Sequence, residues 1–350
     1  AAQCTFCLWP QTIGGHRYRV RSPQNVADEM AHMKKIFPQV REFFFDDDTF
    51  TANLPRAREI AKKIGQLGVE WSCNSRANLD YDTVKNLKDN GLRLFLVGYE
   101  SGNDETLTRI KKGVNTEKMR RFTRDCHRAG VVIHGTFILG LPVETQATIE
   151  QTINFAKELD VFSLQVSLAA PYPGTELYEQ AKVNGWFAKK DRADLVEASG
   201  LQQSALAYPG ASKEEIFEAV DRFYRSYYLR PKPILRIIKT MLEDKDVLVR
   251  RCREGYEFFK SLNQRKNDLA RDSLRGAGLR PFEDHVFDEM GDAVQLRHFV
   301  ARTGPHPHAH SDGADMLHAL GQDDEAAGED SAADIPIFSH FSFRMRGSLR

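Results

Sequence analysis

Cys4 and Cys7 are the side chains of this chain with the clearest capacity for chemistry. They stand in the opening stretch Ala1-Ala-Gln-Cys-Thr-Phe-Cys7 as a C-x2-C pair. Two thiolates at this spacing can form half of a zinc site, a thioredoxin-like redox pair or part of an iron–sulfur site, and the spacing alone does not choose between them. If the pair ends a C-x3-C-x2-C triplet, the third cysteine is expected just before Ala1, so that the chain begins inside a metal-binding loop.

The other cysteines suggest no second metal site. Cys73, Cys126 and Cys252 stand singly among apolar neighbours and are predicted to be small buried hydrophobic residues. Without a second C-x2-C pair, a zinc ribbon is disfavoured. Five cysteines in 350 residues, together with the lack of a secretory or membrane-spanning pattern, predict a protein of the reducing cytoplasm. A location at the inner face of the membrane stays open.

The overall charge gives no reason to expect a polyanionic partner. Lys plus Arg number 49 and Asp plus Glu also number 49. A balanced chain has no long-range attraction for nucleic acid or for an anionic membrane, so we expect no nucleic-acid partner.

Short β-rich runs alternate with helical patterns from Val40 to about Gly185, which is typical of a parallel sheet covered by helices. A sixth strand is expected before the absent cysteine. The sequence therefore predicts an α/β protein with a partial (β/α)6 barrel of the TIM type. The five visible strands are predicted at residues 41–45, 69–73, 92–97, 131–139 and 163–169.

Polar sequences follow each predicted strand. In folds of this kind, ligands gather at the carboxyl ends of the strands, where loops place polar groups over a rigid sheet. We therefore expect a binding site at this edge. In strand order, the segments are Asp46-Asp-Asp48, Asn74-Ser-Arg76, Gly98-Tyr-Glu-Ser-Gly102, Gly140-Leu-Pro-Val-Glu-Thr145 and Pro171-Tyr-Pro-Gly-Thr175.

The incomplete cysteine triplet and the last three of these segments, in this order, resemble the radical S-adenosylmethionine (SAM) superfamily, in the branch that usually carries an N-terminal cobalamin-binding domain. The resemblance covers about residues 2 to 187. The stretch from Cys4 to Arg19 further resembles hopanoid-biosynthesis-associated radical enzymes, for which contraction of an aminosugar ring to a cyclitol ether has been proposed.

The resemblance implies the cofactors. Three thiolates would hold a [4Fe–4S] cluster, SAM would bind the open iron, and reduction would release a 5′-deoxyadenosyl radical. Cobalamin would enter through a domain ahead of Ala1. The implied partners are a lipid-like or sugar-bearing small molecule and a reductant such as flavodoxin or ferredoxin.

The resemblance also suggests roles for single residues around the cysteines. Cys4 and Cys7 would ligate the cluster. Phe6 would border the adenine, with core packing as the alternative. Asp46 and Asp47 would accept hydrogen bonds from the ammonium group of SAM. We interpret the third acid of that run, Asp48, as a turn residue.

Further residues are assigned at the next strand ends, and none is assigned as catalytic. Arg76 would bind the carboxylate of SAM or form a surface ion pair. Glu100 would bind the ribose hydroxyls or the amino group, or else cap the next helix. Gly140, named with the cofactor site, and Pro142 are expected to shape the backbone, and Glu144 could be a first-turn acid.

Two further groups of side chains have open interpretations. Trp9, Tyr99 and Tyr172 could line an apolar entrance or pack in the core. The basic residues Arg17 and Arg19 could meet a ligand or lie in a solvated loop. A third group could rest on a membrane surface, although docking on the barrel is the default prediction. This group comprises Tyr224, Tyr227, Tyr228, Arg230 and Lys232.

The pattern predicts three regions: a radical SAM core at 1–187, truncated at its N-terminus, a helical extension at 188–266 and a low-complexity, disordered tail at 267–350. Residues 311–334 contain eight acidic residues and no Lys or Arg. The histidines at 306, 308 and 310 are predicted to lie in a solvated loop rather than to bind metal.

Three functions remain open at this level. The leading hypothesis is a radical SAM enzyme that rearranges a sugar-derived head group in hopanoid lipid biosynthesis. The alternatives are a cobalamin-dependent radical methyltransferase and a metal-binding fragment without catalytic activity.

Overall fold

The computed structural model describes residues 3–9, 15, 19–187, 205–242 and 341–345. The helices and strands alternate along most of this length, as the sequence predicts. In chain order, they are α1 (Pro23–Ile36), β1 (Val40–Phe45), a 3₁₀ turn (Phe50–Ala52), α2 (Leu54–Gly65), β2 (Glu70–Ser75), α3 (Tyr81–Asp89), β3 (Leu92–Glu100), α4 (Asp104–Arg109), α5 (Thr116–Ala129), β4 (Val132–Leu139), α6 (Gln146–Leu159), β5 (Ser163–Leu168), α7 (Glu176–Asn184), α8 (Lys213–Tyr228), α9 (Pro231–Leu242) and β6 (Phe341–Met345).

The sheet has the strand order β5-β4-β3-β2-β1-β6. Strands β1 to β5 run parallel to one another and curl into a half-barrel with helices, which confirms the predicted partial TIM-type fold. The strand expected before the absent cysteine would precede this sequence, so it stays a prediction. The sixth strand of the sheet, β6, pairs antiparallel with the outer edge of β1 and comes from residues 341–345, within the range predicted to be a disordered tail.

Local sequence signals explain where the helices begin. Helix α2 begins after Asn53, whose side chain accepts a hydrogen bond from Arg56 N at 3.1 Å, and Pro55 lies in its first turn. The sequence predicts Gly68 as the stop of this helix, but the helix ends three residues earlier, at Gly65. Gly68 has a φ of +61° and forms the turn into β2 instead.

The core lies between the sheet and the helices that cover its convex face. Tyr99 of β3 stacks on Phe137 of β4 with 5.6 Å between ring centroids, and Phe137 meets Phe223 of α8 at 5.3 Å. Full burial of one such ring stabilises the fold by about 1.5–3 kcal/mol. Cys73 and Cys126 are buried in this core, as predicted, whereas Cys252 lies outside the described residues.

Tyrosines of α8 cover the free edge of β5. The Tyr224 hydroxyl accepts from Val166 N at 2.9 Å, and the Tyr228 hydroxyl accepts from Leu164 N at 2.9 Å. The same hydroxyls donate to the carbonyls of Val166 at 3.5 Å and of Leu164 at 3.2 Å. An edge strand otherwise presents unpaired N–H and C=O groups to other chains. The side chains therefore satisfy backbone groups that no neighbouring strand reaches.

The basic residues after α8 bind the end of α6. Asp160 lies 2.5 Å from Lys232 Nζ and 2.9 Å from Arg236 Nη2, and Arg230 Nη1 donates to Lys157 O at 2.9 Å. Together with the Tyr227 hydroxyl, which donates to a backbone carbonyl of the barrel, these contacts confirm the predicted docking of this aromatic and basic group on the protein.

The remaining predictions about the C-terminal part fall mostly outside the described residues. These include the helical pattern up to about residue 265, the histidines at 306, 308 and 310, and most of the predicted tail. The three-region division stays a prediction. No helix in the described part of the chain is both long and apolar enough to cross a bilayer.

Candidate functional site

The loop that carries Cys4 and Cys7 is fixed at the carboxyl edge of the sheet. Cys7 N donates to Cys4 O at 3.0 Å, which closes a tight turn between the two cysteines. Thr5 N donates to Ile110 O at 3.1 Å, and Thr5 O accepts from Leu177 N at 2.9 Å. Because Ile110 follows α4 and Leu177 begins α7, the loop is tied to segments that follow β3 and β5.

Both thiols are half-buried, and neither forms a disulfide. Burial raises the pKa of the Cys4 thiol, while the positive charges of Lys112 and Arg76 oppose this shift. Burial likewise raises the pKa of Cys7, and a hydrogen bond from the Trp9 backbone opposes it. Nearby cations favour the thiolate form, which is the form that ligates metals.

Glu100 and Lys112 form a buried ion pair beside this loop. Glu100 Oε1 lies 2.7 Å from Lys112 Nζ, and the two side chains are only 9% and 10% exposed. The backbone of Glu100 adopts a φ of +65°, which is uncommon for a residue other than glycine and is found at functional sites. Glu100 does not cap the next helix, because Asn103 accepts from Thr106 N at 2.9 Å and caps α4.

The glycines of the Gly98-Tyr-Glu-Ser-Gly102 segment allow two close approaches. A Cβ atom on Gly98 would lie 2.3 Å from Glu100 Oε1 and 3.0 Å from Lys112 Nζ, so the ion pair occupies the space above this residue. A Cβ atom on Gly102 would lie 2.6 Å from Phe155 Cβ in α6. Gly98 therefore leaves room for the ion pair, and Gly102 allows the end of β3 to pack closely against α6.

Arg76, which follows β2, extends toward Lys112 and the cysteine loop. Its guanidinium donates to the carbonyl of Lys112, and its charge acts on Cys4. Its bond to this carbonyl involves no carboxylate, and both alternatives for Arg76, a contact with SAM and a surface ion pair, stay predictions. Arg76 therefore lies beside the cysteine loop, as the binding hypothesis requires.

The acidic residues after β1 are exposed at this edge. Partial loss of hydration beside neighbouring protein atoms raises the pKa of Asp47, and the positive charge of Arg56 opposes that shift. Asp48 lies in a turn, as interpreted from the sequence, and its negative charge is close enough to raise the pKa of Cys7. The roles of Asp46 and Asp47 toward SAM stay predictions.

The loop after β4 is organised by a buried carboxyl group. Glu144 Oε2 accepts hydrogen bonds from Gly140 N at 2.5 Å and from Leu141 N at 3.2 Å, and the Tyr208 hydroxyl donates to Gly140 O at 2.8 Å. Burial raises the pKa of Glu144 to about 8. Gly140 has a φ of +81°, so it shapes the backbone, as expected. Glu144 is a buried anchor of the loop rather than an exposed first-turn acid.

The aromatic residues near the site divide into two groups. Tyr99 is fully buried on the helix side of the sheet, where its hydroxyl lies 2.6 Å from Thr123 Oγ1, so the suggestion that it lines an entrance is wrong. Trp9 and Tyr172 are each 39% exposed, which leaves their proposed lining role open. Phe6 is partly buried against the core. Arg19 is exposed, and Arg17 lies outside the described residues.

Lys112 is the principal site residue that sequence reasoning missed. It follows α4 rather than a strand, so a search for polar residues at the carboxyl ends of predicted strands could not identify it. The signal available was the short run Lys111-Lys-Gly113 close to the Gly98–Gly102 segment, but nothing in that run indicated that one lysine is buried and its neighbour exposed.

Comparison with known proteins agrees with this geometry. Residues 1–156, which include both cysteines and strands β1 to β4, match the Radical SAM superfamily. The matched part comprises 156 of the 350 residues, just under half of the chain. Proteins of the radical SAM superfamily are enzymes that use a [4Fe–4S] cluster and SAM.

Two curated relatives extend beyond the matched region. An uncharacterised methyltransferase of Pyrococcus horikoshii is 31% identical over 255 residues, which is 72% of this chain and 54% of the relative. Bacteriochlorophyllide d C-8(2)-methyltransferase of Chlorobaculum tepidum is 29% identical over 198 residues, which is 54% of this chain and 44% of the relative. The chain spans about half the length of these relatives.

A solved structure shares the half-barrel fold of this chain. The cobalamin-dependent S-adenosylmethionine radical enzyme OxsB, with aqua-cobalamin and S-adenosylmethionine bound, is 14% identical, with a TM-score of 0.51. The match covers 83% of this chain and 50% of OxsB. The likeness shows the fold.

The residues present fit two ligands of an iron–sulfur cluster. The two thiols are half-buried and lie three residues apart on an anchored turn, with the positive charges of Lys112 and Arg76 near Cys4 and that of Lys112 near Cys7. Among the described residues, no group of three or more His, Cys, Asp and Glu side chains is arranged to hold a metal ion. The third ligand just before Ala1 therefore stays a prediction.

Proposed function

We propose that this chain is the core of a radical SAM enzyme that generates a 5′-deoxyadenosyl radical at the carboxyl edge of its half-barrel. The observation that carries the proposal is the anchored Cys4–Cys7 turn beside the buried Glu100–Lys112 pair. A bound [4Fe–4S] cluster would supply the electron that cleaves the sulfonium of SAM.

The residues of the chain have separate tasks in this proposal. Cys4 and Cys7 ligate the cluster as thiolates, and the cations of Lys112 and Arg76 stabilise their negative charge. Ile110, after α4, and Leu177, in the first turn of α7, hold the turn through backbone hydrogen bonds to Thr5. The third thiolate comes from the predicted position ahead of Ala1.

SAM is bound by groups that lie around this turn. The buried Glu100 binds its ribose hydroxyls or amino group, and the Glu100–Lys112 pair fixes the position of the carboxylate before SAM arrives. Asp46 and Asp47 accept from the ammonium group, and Arg76 binds the carboxylate. Phe6 borders the adenine, and Gly140 shapes the adjoining loop.

Two uses of the radical are supported by different observations. Methyl transfer with cobalamin, bound by a domain ahead of Ala1, is supported by the two methyltransferase relatives. Contraction of an aminosugar ring on a hopanoid is supported by the likeness of the stretch from Cys4 to Arg19. Of the two, methyl transfer has the broader support, and the ring contraction is the second candidate. A lipid substrate would also favour contact with a membrane surface.

Metal content tests the core of the proposal. The chain with a cysteine restored before Ala1, reconstituted with iron and sulfide without oxygen, should hold about four irons per chain. Cys4→Ala and Cys7→Ala should each lower the iron content sharply, whereas Cys126→Ala, which changes a buried cysteine of α5, should not. Stoichiometric zinc without iron–sulfur absorbance in the restored chain would contradict the proposal.

The role of Glu100 can be tested by SAM binding to the reconstituted protein. Glu100→Gln should weaken SAM binding by about 1–3 kcal/mol, because a charge-assisted hydrogen bond is lost, while iron content stays the same. Glu105→Gln changes an exposed glutamate of α4 and serves as the control. Thermal unfolding of both variants measures any loss of stability from leaving Lys112 unpaired. Equal affinities in calorimetry would remove Glu100 from the SAM site.

Lipid analysis separates the two candidate uses of the radical. Deletion of the gene in its host should remove a methylated product if methyl transfer is the function. If ring contraction is the function, mass spectrometry of hopanoids should instead show loss of the cyclitol ether and accumulation of its glucosamine-bearing precursor. An unaltered cyclitol ether level would exclude the second candidate.

A further inference from the structure

Exposed apolar side chains are concentrated on and just before helix α9. Among the side chains that the structure describes, six of the eleven large apolar ones that are exposed lie between positions 229 and 242. They are Leu229, Ile234, Leu235, Ile237, Ile238 and Leu242. A monomeric soluble protein seldom leaves such residues side by side, so this concentration indicates a binding surface.

Four of these side chains lie on one face of α9. Ile234, Leu235, Ile238 and Leu242 follow one another at spacings of one, three and four residues, and a helix of 3.6 residues per turn places them along a single strip. We call these four residues the apolar strip. Leu235 is 65% exposed and Leu242 is 79% exposed, so the strip faces away from the protein.

The opposite face of α9 is fixed to the protein. Pro233 is buried, and the Arg236 guanidinium donates to Val161 O at 2.6 Å and lies 2.9 Å from Asp160 Oδ1. The apolar strip is therefore held outward by contacts on the other side of the helix.

Basic residues flank the apolar strip, although the charge of the whole chain is balanced. Helix α9 contains no Asp or Glu, and Lys232 and Lys239 are exposed beside the strip. Asp160 pairs with Lys232 and Arg236 and neutralises only part of this positive charge. The acidic residues after position 242 lie outside the described residues. The described surface thus combines apolar side chains with an excess of positive charge.

The apolar strip lies far from the proposed radical site. Arg236 binds the carbonyls of Val161 and Phe162, just before β5, so α9 lies at the amino end of that strand. The cysteine loop lies at the carboxyl edge of the sheet, and the six residues of β5 span about 20 Å. What binds the strip is therefore separate from what reacts at the site.

We propose that α9 is an interfacial helix that binds the surface of an anionic lipid bilayer. The apolar strip enters the boundary of the acyl chains, and Lys232 and Lys239 meet the phosphate groups. A second copy of the chain fits this face less well, because two basic strips repel each other. A protein partner also fits less well, since protein interfaces depend on aromatic anchors and α9 has no aromatic residue. The proposal requires neither radical chemistry nor a lipid substrate.

Sedimentation with vesicles tests the proposal on the full chain, without iron, sulfide or SAM. The vesicles consist of phosphatidylcholine alone or of an equal mixture of phosphatidylcholine and phosphatidylglycerol. We expect the chain to sediment with the mixed vesicles, to bind phosphatidylcholine vesicles about tenfold more weakly, and to be partly released as the salt concentration rises.

Variants of α9 separate the apolar from the electrostatic part. Leu235→Ser combined with Ile238→Ser should weaken binding to the mixed vesicles about tenfold or more, because two apolar side chains no longer leave water. Lys239→Gln should weaken it about fivefold and should leave binding to phosphatidylcholine unchanged. Val183→Ser and Lys182→Gln, at exposed positions of α7, are the matched controls and should bind as the unaltered chain does.

The position of the contact has its own readout. In the Leu235→Trp variant, the added fluorescence should shift to shorter wavelength with the mixed vesicles, because the ring leaves water, whereas in Val183→Trp it should not. Failure of the unaltered chain to sediment with the mixed vesicles, equal binding by the double serine variant, or no shift at position 235 would each overturn the inference.

Two further outcomes would assign the apolar strip to another occupant and would also overturn the inference. A dimer that the double serine variant abolishes would assign it to a second copy of the chain. Slow amide hydrogen exchange in α9 without lipid binding would assign it to another segment of this chain. Because no cofactor is present, all these outcomes are independent of the iron-content experiment, which tests the radical SAM proposal by itself.

Discussion

Replacement of Glu144 by Gln should change how the stability of the protein depends on pH. Glu144 is buried, its Oε2 atom accepts from Gly140 N and Leu141 N, and its Oε1 atom has no hydrogen-bond partner among the described residues. Burial raises its pKa from the ordinary 4.5 to about 8. A glutamine has the same shape, can accept the same two hydrogen bonds and does not ionise.

The sign follows from proton binding in the two states. The carboxyl group has a raised pKa in the folded protein, so its stabilising effect is fully present below pH 4.5 and is lost as the pH rises through about 8. A difference of about 3.5 pKa units corresponds to at most about 5 kcal/mol. The two backbone N–H groups favour the charged form, so we expect about 2–5 kcal/mol.

Chemical unfolding at a series of pH values measures this effect. The free energy of unfolding of the unaltered chain should fall relative to that of the Glu144→Gln variant between pH 5 and pH 9. Glu150→Gln, an exposed change on α6, the helix that follows the Glu144 loop, should show no such relative fall. A difference between the unaltered chain and the Glu144→Gln variant that stays constant over this range would refute the argument. A constant difference would also show that the two N–H groups keep Glu144 ionised throughout this range.

Three further predictions concern packing and edges. Tyr224→Phe combined with Tyr228→Phe should lower the free energy of unfolding by about 2–4 kcal/mol and increase light scattering at high protein concentration, because two backbone N–H groups of β5 lose their partners. Asp160→Asn should release α9, seen as faster amide hydrogen exchange in Arg230–Leu242, with little change elsewhere. Gly102→Ala should lower the melting temperature, because its Cβ atom would lie 2.6 Å from Phe155 Cβ, and unchanged melting would show that α6 can shift.

The order of strands and helices could be predicted because its signals are local. Asn53 and Thr175 cap the helices that their positions indicate, and the buried faces of α5 and α6 repeat at helical spacing. Because the carboxyl ends of parallel strands share one edge of the sheet, Arg76 and Glu100 could then be placed at that edge. These inferences need only neighbours in sequence and the geometry of a parallel sheet.

The missed features depend on contacts between distant parts of the chain. Tyr99 stands in a motif at a strand end, but the alternation of the strand turns its ring into the core while Glu100 turns to the site. The role of Lys112 depends on the path of the chain after α4. The pairing of residues 341–345 with β1 joins segments about 300 residues apart. No local pattern encodes such pairings.

The tyrosine cover on β5 sets a lower bound on where a shortened form of the protein can end if this edge of the sheet is to stay protected. The superfamily match ends at residue 156, inside α6 and before β5. A protein shortened to that point would expose the backbone of β4, and one ending after β5 would expose the β5 edge that Tyr224 and Tyr228 now bind. Either piece would offer a template for strand pairing between molecules. A recombinant form intended for crystallisation should therefore extend at least to Tyr228.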